Sequence, residues 1–499
     1  MKEYIKINPA DNVAVALQPL AKGTVVTIDG NDITLVSDIP AGHKLALRDI
    51  AEGENVIKYG FPIGHAMHPV AQGAFLDHND IKTNLAGQLD YSDIKIKGLK
   101  KPAFEQPELT FEGYKRPDGQ VGIRNEIWVI PTVGCVNGIC KQIVEKLNAE
   151  TGAEGVDGIF TYPHNDGCSQ LGGDHENTKK ILRDMVLHPN AGGVLVVGLG
   201  CENNQPHVFE EFCGDYDRDR VKFMVCQEVE GDEVEYGLNI LRGLYENAKK
   251  MKRETTPASM LRVGLKCGGS DGFSGITANP LLGEFSDFLC GTQNGTTVLT
   301  EVPEMFGAET ILMERCYDDQ LLDKTIHLIN DFKEYFLSHG EPVGENPSPG
   351  NKAGGISTLE EKALGCTQKS GKGPVFGVLD YGERIKEHGL NLLSAPGNDL
   401  VASTALGASG CQMVLFTTGR GTPFGTFVPT VKVSTNSGLA ARKPTWIDFN
   451  AGVLVEDETM EEVLARFVAY ILEVASGRLV NSEKSGIHEI SIFKNGVTL

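Results

Sequence analysis

Three cysteines each follow a glycine just past a strand-like segment: Cys135, Cys168 and Cys201. The carboxyl ends of parallel strands share one edge of a sheet, and open α/β sheets bind ligands there. Glycine beside each thiol lets the backbone approach whatever the sulfur contacts. Three thiolates form a soft ligand set that suits iron–sulfur chemistry or zinc. The sequence therefore predicts that these three cysteines bind a metal, whereas cysteines such as Cys140 are expected to be buried as small hydrophobic residues.

Histidines supply the expected general base, because their charge changes near neutral pH. His164 lies four residues before Cys168, and Gln170, which follows on the same loop, is assigned to substrate binding. His43 and His78 lie at turn-to-strand junctions near the amino terminus, where they could converge. We predict all three histidines as catalytic. In the alternative interpretation they hold a single ferrous ion themselves, and the thiols only line the pocket.

A glycine-rich loop, 267–275, follows a predicted strand and presents backbone N–H groups suited to a carboxylate or phosphate. It lacks the lysine of a Walker loop and the dinucleotide-binding glycine spacing, which disfavours a nucleotide. We assign Ser270 and Asp271 on this loop to substrate binding. Lys352 and Arg420 lie on other glycine-rich turns and are predicted to clamp an acidic sugar, Arg420 being suited to bidentate carboxylate contact. The alternative interpretation is that both are solvated turn residues.

The elements that must position these residues divide the chain into four ranges. Short β-type runs broken by glycine predict a β-rich domain over 1–98, and 99–112 is expected to be a linker. Alternating strands and helices over 113–256 predict a doubly wound parallel sheet. Residues 257–499 begin a second α/β series, in which the glycine-dense stretch 340–375 is expected to be a long functional loop.

Composition restricts the class of protein further. The chain has 499 residues, a net charge of −21 and 40% hydrophobic residues, which is typical of a globular protein with several domains. The negative charge argues against binding nucleic acid or an anionic membrane, and no apolar run reaches the length of a membrane span. Eleven cysteines in a long chain without a signal-peptide pattern predict a reducing, cytoplasmic location.

Longer motifs make the chain resemble a known family. They are Gly42–Lys44, His78–Asn79, Thr132–Gly138, Gly167–Gln170, Gly198–Asn204, Cys267–Gly272, Thr277–Pro280, Glu301–Glu309, Asn346–Lys352, Ser394–Asn398 and Thr418–Gly421. Together they resemble the altronate/galactarate dehydratase family of hexuronate and aldarate catabolism, over essentially the whole chain. Asn79, within the second motif, is accordingly assigned to substrate binding.

The resemblance implies an amino-terminal β-clip domain of the SAF type, a central α/β domain and a larger C-terminal α/β domain, with mostly parallel sheets. It implies dehydration of D-altronate to 2-dehydro-3-deoxy-D-gluconate, with a ferrous-iron requirement that manganese partly meets. An iron–sulfur cluster on the three thiols is the alternative cofactor. Rival functions are an aldarate dehydratase or sulfo-lyase of the same fold, and a non-catalytic SAF-like binding protein. The hydroxyl configuration of the substrate, the base and any homo-oligomeric state stay open.

Overall fold

A computed structural model of the chain describes residues 3–85, 87–102 and 108–499. The first unit is a β domain of nine short strands. They are β1 Tyr4–Ile5, β2 Val13–Ala16, β3 Val25–Ile28, β4 Asn31–Thr34, β5 Lys44–Ala46, β6 Asn55–Lys58, β7 Phe61–Ala66, β8 Phe75–Leu76 and β9 Ile81–Lys82. They form a sheet in the order β1-β2-β5-β8, a second sheet β6-β7-β9 and the hairpin β3-β4. In β3, residues alternate between exposed and buried, so that Val26 and Ile28 face the core.

The central unit contains strands β10 Thr110–Lys115, β11 Val121–Gly122, β12 Glu126–Pro131, β13 Ile159–Thr161, β14 Ala191–Gly198, β15 Val221–Val225 and β16 Glu254–Pro257. Its helices are α1 Asn137–Thr151, α2 Gly172–Val186, α3 Pro206–Phe212 and α4 Glu233–Ala248. Strands β13-β12-β14-β15 form a parallel sheet in that order. All eight residues of β14 are buried, as a strand covered on both faces requires. The predicted alternation of strand and helix is confirmed.

The polar stretch between the first two units is not all linker. Residues 110–112, predicted as the end of the linker, belong to β10, and Phe111 pairs with Thr256 of β16 in antiparallel register. Strand β10 alternates exposed and buried residues at its start, but the run is short and its partner β16 is distant in the chain, so the sequence pattern missed it. Residues 103–107 of the predicted linker lie outside the described residues.

The C-terminal unit has a seven-stranded sheet, all parallel, in the order β19-β20-β18-β17-β21-β22-β23. Its strands are β17 Arg262–Cys267, β18 Thr296–Leu299, β19 Val375–Leu379, β20 Gly389–Leu393, β21 Met413–Thr418, β22 Thr430–Ser434 and β23 Phe449–Asn450. Its helices are α5 Ala278–Thr292, α6 Glu309–Met313, α7 Asp319–Ser338, α8 Pro349–Ala353, α9 Leu359–Cys366, α10 Asp399–Ala408, α11 Ser437–Arg442, α12 Met460–Ala475 and α13 Asn481–Lys484. No helix of the described ranges is both long and apolar enough to span a membrane.

Two features of this unit differ from the sequence-based expectation. The stretch 340–375 is not one loop, because it contains α8 and α9. Strands β20 and β22 were not predicted, since each carries a polar residue, Asn391 and Lys432, in its buried interior. Asn391 donates to the carbonyls of Glu387 and Gly389, and Lys432 donates to the carbonyl of Phe424, which satisfies the buried donors.

The three units pack against one another through apolar contacts. Trp128 of the central sheet makes an edge-to-face contact with Phe427 of the C-terminal unit, with ring centroids 5.7 Å apart. One hydrophobic cluster of the β domain includes Ile63 and also Ala363 and Leu364 of α9. Helix α9 is therefore the element on which the β domain docks.

Candidate active site

The three predicted metal-binding cysteines lie on adjoining loops at the carboxyl edge of the central sheet. Backbone hydrogen bonds join these loops: Gly134 N donates to Asp166 O at 3.0 Å, and Asn204 N donates to Gly167 O at 3.0 Å. Gly167 has φ +95°, and a Cβ there would lie 2.2 Å from the carbonyl oxygen of Thr132, so only glycine fits. All three thiols are exposed. The structure thus brings the loops together as predicted.

The spacing of these sulfurs decides which metal they suit. One ion bound by three thiolates at about 2.3 Å holds the sulfurs about 3.8 Å apart. Within the described residues, Cys135, Cys168 and Cys201 are not a group whose ligand atoms all lie within 4.8 Å of one another. A single ion shared by the three does not fit this conformation. In a multi-iron cluster each thiolate binds a different iron atom, so the sulfurs can lie farther apart than around one ion. The metal-binding role of the three cysteines stays a prediction.

His164 and Gln170 brace the Cys168 loop through their own hydrogen bonds. The buried His164 ring donates from Nε2 to Pro131 O at 2.8 Å and accepts at Nδ1 from Asp166 N at 3.1 Å. Burial lowers its pKa, which favours the neutral ring that this pair of bonds requires. Gln170 Oε1 accepts from Gly167 N at 2.8 Å and from Thr178 Oγ1 at 2.9 Å. Both ring nitrogens of His164 are therefore committed to backbone atoms.

The other predicted histidines lie at the same end of one strand pair of the β domain. Lys44 of β5 pairs with Leu76 of β8 in antiparallel register, and His43 directly precedes β5 while His78 follows β8. His43 Nδ1 lies 3.3 Å from the carbonyl oxygen of Ala41, so the proton is on Nδ1 and Nε2 carries the lone pair. Burial lowers the pKa of His43. Both ring nitrogens of His164 are bonded to the backbone, whereas His43 has only Nδ1 bonded. His43 Nε2 can therefore accept a proton.

His78 and Asn79 lie on the turn that follows β8. The His78 side chain is about one-third exposed, and its Nδ1 lies 3.8 Å from the carboxylate of Asp77. Asn79 donates from its backbone N and from Nδ2 to the same carboxylate, at 2.7 and 3.3 Å. In this conformation Asp77 organises the turn, and Asn79 serves to close it.

The glycine-rich loop 267–275 contacts this corner directly. A Cβ on Gly272 would lie 1.9 Å from the carbonyl oxygen of Gly42, and Gly272 N donates to Gly354 O at 2.7 Å. A Cβ on Gly355 would lie 3.5 Å from the backbone nitrogen of His43. Three glycine-containing segments therefore approach at backbone contact, which larger residues would prevent. The structure places His43 beside the loop that carries Ser270 and Asp271.

Asp271 is buried and anchors the loop. Its carboxylate accepts from Thr435 Oγ1 at 3.0 Å, Ser274 Oγ at 3.2 Å and Phe273 N at 3.1 Å. Burial raises the pKa of Asp271, and these hydrogen bonds oppose the rise. The side chain is thus saturated by the protein.

Ser270 differs from Asp271, because its hydroxyl is buried and has no hydrogen-bond partner among the described residues. A buried hydroxyl without a partner is costly. Such a group is expected where a ligand completes the hydrogen bond.

The two predicted cations lie on segments attached to this loop. Arg420 N donates to Gly269 O at 2.9 Å, which fixes its backbone, and its side chain is exposed. Lys352 is half-buried on α8, where its neighbour Asn351 donates from Nδ2 to Ser270 O at 2.9 Å. His43, Ser270, Lys352 and Arg420 therefore belong to one region, while the three cysteines, His164 and Gln170 belong to the central sheet.

A narrow cavity lies between the β domain and the C-terminal unit. It is lined by Lys58 and Tyr59 of the β domain, by the loop from Ser270 to Gly275, and by Lys362 and Cys366 of α9. The lining combines two lysine side chains with the unpartnered Ser270 hydroxyl. The cavity has a volume of about 10 Å³, room for one water molecule, and both lysines are paired with carboxylates, so it must widen to admit a sugar acid.

Below the cavity lies a dense, buried cluster that the sequence analysis did not assign. Its carboxylates and ammonium groups pair as Lys266 with Glu301 and Asp399, Lys362 with Glu304 at 2.8 Å, and Lys369 with Glu301 at 2.9 Å. Burial alone would raise the pKa of Glu304, but Lys362, followed by Lys266 and Lys369, brings it down to about 2. Glu301 has φ +68°, a strained backbone for a residue other than glycine.

The sequence did contain signals for the residues of this buried cluster. Glu301 and Glu304 are in one of the long motifs, directly after β18, and Lys362 and Cys366 are four residues apart, on the same face of a helix. The expectation of one loop over 340–375 hid that helix. Cys267 ends β17 and begins the glycine-rich loop, so a strand-end thiol was visible there as well.

Comparison with known proteins follows the same three units. Residues 2–84 match the altronate/galactarate dehydratase SAF domain, residues 113–249 match the second domain of D-galactarate dehydratase/altronate hydrolase, and residues 258–498 match the D-galactarate/altronate dehydratase C-terminal domain. An altronate dehydratase of Bacillus subtilis (strain 168) is 56% identical over 505 residues, and one of Escherichia coli (strain K12) is 54% identical over 504 residues, each over 100% of both chains. A galactarate dehydratase (L-threo-forming) of Escherichia coli (strain K12) is 35% identical, over 98% of this chain and 96% of that protein.

Proposed function

Since the chain belongs to the D-galactarate/altronate dehydratase family, we propose that it is a hydro-lyase that converts D-altronate to 2-dehydro-3-deoxy-D-gluconate and water. Two altronate dehydratases match it over the full length at 54–56% identity, whereas the galactarate dehydratase is 35% identical. The structural observation that supports the proposal is Ser270, which lines the small cavity between the β domain and the C-terminal unit and whose buried hydroxyl has no partner among the described residues.

Arg420 is the cation assigned to the substrate, because Lys58 and Lys362 in the cavity wall are neutralised by Glu361 and Glu304. The exposed Arg420 guanidinium, on a turn bonded to Gly269, suits a bidentate contact with the carboxylate of an aldonate. Ser270 can exchange one hydrogen bond with a sugar hydroxyl, which satisfies its buried oxygen. The β domain contributes Lys58 and Tyr59 to the lining, so its docking forms one side of the cavity.

The chemical step removes the C2 proton beside the carboxylate and expels the C3 hydroxyl. His43 Nε2 is the assigned base, because burial keeps the ring neutral at pH 7 and Nδ1 is held by Ala41 O. The electron pair of the C2–H bond forms the C2–C3 double bond as the C3–O bond breaks. The proton taken by His43 passes to the departing hydroxide, water leaves, and the enol tautomerises to the 2-keto acid.

Ferrous iron, with manganese as a partial substitute, is part of the same proposal on the basis of the family. A bound divalent metal would polarise the carboxylate and stabilise the departing hydroxide. Neither set predicted from sequence fits one ion here: the thiol trio is too widely spaced, and both ring nitrogens of His164 are bonded to the backbone. We therefore assign no step to the metal on those residues.

Release of keto acid from a panel of sugar acids tests the function. The full chain, prepared anaerobically with and without ferrous iron, is given D-altronate, galactarate and (2R)-sulfolactate, and 2-keto acid and sulfite are measured. We expect 2-dehydro-3-deoxy-D-gluconate from D-altronate, with the other two turned over at least a hundredfold more slowly, about 2.7 kcal/mol in transition-state binding. Preferred turnover of galactarate, or sulfite release, would replace this assignment, and no turnover of any acid would refute it.

A further inference from the structure

Two thiols and a carboxylate converge beneath the cavity. The Sγ atoms of Cys267 and Cys366 are 3.2 Å apart, and Glu304 Oε2 lies 3.1 Å from Cys366 Sγ and 3.4 Å from Cys267 Sγ. All three side chains are buried. Among the described residues, these are the three cysteine, histidine or acidic side chains whose possible metal-ligand atoms all lie within 4.8 Å of one another.

We propose that Cys267, Cys366 and Glu304 form a binding site for a divalent transition-metal ion that accepts sulfur ligands, at the floor of the cavity. A tetrahedral ion with metal–sulfur bonds of about 2.3 Å and a metal–oxygen bond of about 2.0 Å needs ligand separations of about 3.5–3.8 Å. The observed sulfur–oxygen separations are about 0.1–0.4 Å shorter, and the sulfur–sulfur separation is about 0.6 Å shorter. Small rotations of the side chains are enough to admit the ion.

The surrounding charges are compatible with a cation despite three nearby lysines. Lys266, Lys362 and Lys369 are balanced by Glu301, Glu304 and Asp399, with which they form the ion pairs described above. A divalent ion that displaces one proton from each thiol to solvent leaves the charge of the cluster unchanged. The two thiolates therefore compensate the double positive charge of the ion, and the lysines keep their own carboxylate partners.

The neighbours of the three ligands also have the arrangement that supports a metal. Lys362 holds Glu304 Oε1 at 2.8 Å, which leaves Oε2 toward the sulfurs. Lys369 Nζ lies 2.8 Å from Cys267 Sγ and can donate to the thiolate. Hydrogen bonds of this kind orient metal ligands and tune their basicity.

Of the three proposed ligands, Cys366 lines the cavity together with Ser270. Three protein ligands leave a fourth position, the number found in catalytic sites that keep one position open. The inference concerns metal binding alone and is independent of which sugar acid is dehydrated. It places the metal in the C-terminal unit and not at the thiols of the central sheet.

Cobalt loading of the full-length protein tests the site without reading turnover. The metal-free chain is titrated anaerobically with Co²⁺, and bound cobalt, thiolate-to-cobalt absorption and X-ray absorption of the first shell are measured. We expect one tightly bound ion with two sulfur ligands and a strong near-ultraviolet band. Three sulfur ligands, or no bound cobalt, would overturn the proposal.

Substitutions locate the sulfurs. C366S and E304Q should each lower cobalt affinity at least tenfold, and C366S should remove about half of the thiolate band, whereas the triple variant C135S/C168S/C201S should keep both. Each variant is first checked for a wild-type circular dichroism spectrum, and the first-shell sulfur count of the wild type serves as the test should C366S misfold. Loss of the band in the triple variant and not in C366S would also overturn the proposal.

Discussion

The two histidines His43 and His164 differ, at the scale of single residues, in which ring nitrogen is left to accept a proton. Sequence reasoning found both, but only the fold shows that the backbone takes both nitrogens of His164 and one of His43. The thiols Cys267 and Cys366 illustrate the reverse case. Their types were visible in the sequence, but their 3.2 Å separation depends on a contact between residues 99 positions apart.

Replacing the base should abolish most of the chemistry. We expect H43Q to lower kcat for D-altronate by about 10²–10⁴-fold, because a positioned general base contributes that much. H68Q, which changes an exposed histidine paired with Asp80, is the control and should keep wild-type kinetics. Initial rates of keto-acid release measure both, and wild-type kcat in H43Q would remove His43 from the reaction.

The same base predicts a pH dependence. His43 acts in its neutral form, and burial lowers its pKa below the ordinary value of 6.5. The kcat/KM of the wild type should therefore rise with pH on the acid side, with its midpoint below pH 6.5. A midpoint above pH 7 would identify a different base.

Arg420 gives a test of substrate binding. R420K keeps the charge but loses the planar pair of donors, so kcat/KM for D-altronate should fall about tenfold, the cost of one charge-assisted hydrogen bond. R218K is the matched change at an exposed arginine in the central unit and should have no effect. Unchanged kinetics in R420K would show that Arg420 is only a turn residue.

At the scale of elements, helix α9 joins the β domain to the cavity. Its Glu361 carboxylate accepts from Lys58 at 2.7 Å and from Lys44 at 2.9 Å, and all three side chains are buried. Burial by itself raises the pKa of Glu361, yet Lys44 and Lys58 bring it to about 2. The stability from this carboxylate is therefore fully present above its unfolded pKa near 4.5 and is lost as pH falls toward 2.

Breaking this ion pair should be costly. E361Q leaves two buried lysines without their partner and should reduce the free energy of unfolding by about 3–5 kcal/mol. E54Q, which removes a solvent-screened partner of Arg48, should leave the denaturant midpoint close to that of the wild type. Denaturant midpoints at pH 7 compare the two, and equal midpoints would show that α9 does not hold the β domain through Glu361.

Periodicity predicted the elements of the central unit to within a few residues, because its strands are continuous apolar runs between amphipathic helices. It failed where tertiary contacts override local pattern. Strands β20 and β22 bury polar residues that donate to nearby backbone carbonyls, and α9 buries charged residues that ion pairs satisfy. Residues of α9 line the cavity, so one of the elements that local reasoning missed carries part of the candidate site.

At the scale of the whole molecule, the β domain is part of the site and not an accessory. A remainder spanning 108–499 should fold, because the two α/β units share one core, but it should turn over D-altronate at least a hundredfold more slowly. Adding the separate 1–102 fragment should restore part of the rate through the α9 contacts. Full activity of the remainder alone would show that His43 and the β domain are dispensable.

Composition and motif order predicted the three units and their sequence along the chain. They could not show which units meet, because that depends on packing between residues hundreds of positions apart, such as Lys44 and Glu361. The motifs alone therefore predict that His43 shares a site with the thiols of the central sheet, whereas in the structure it lies beside the glycine-rich loop of the C-terminal unit.

One comparison tests directly whether the reaction takes place in that cavity. The kcat/KM for D-altronate is measured for S270A, which removes the unpartnered hydroxyl of the cavity, and for S169A, beside Cys168 at the central sheet. We predict a fall of about tenfold or more for S270A, equivalent to one buried hydrogen bond, and a change of less than about twofold for S169A, since its hydroxyl lies outside the cavity. A large loss in S169A with wild-type kinetics in S270A would contradict the account and place the chemistry at the thiols of the central sheet.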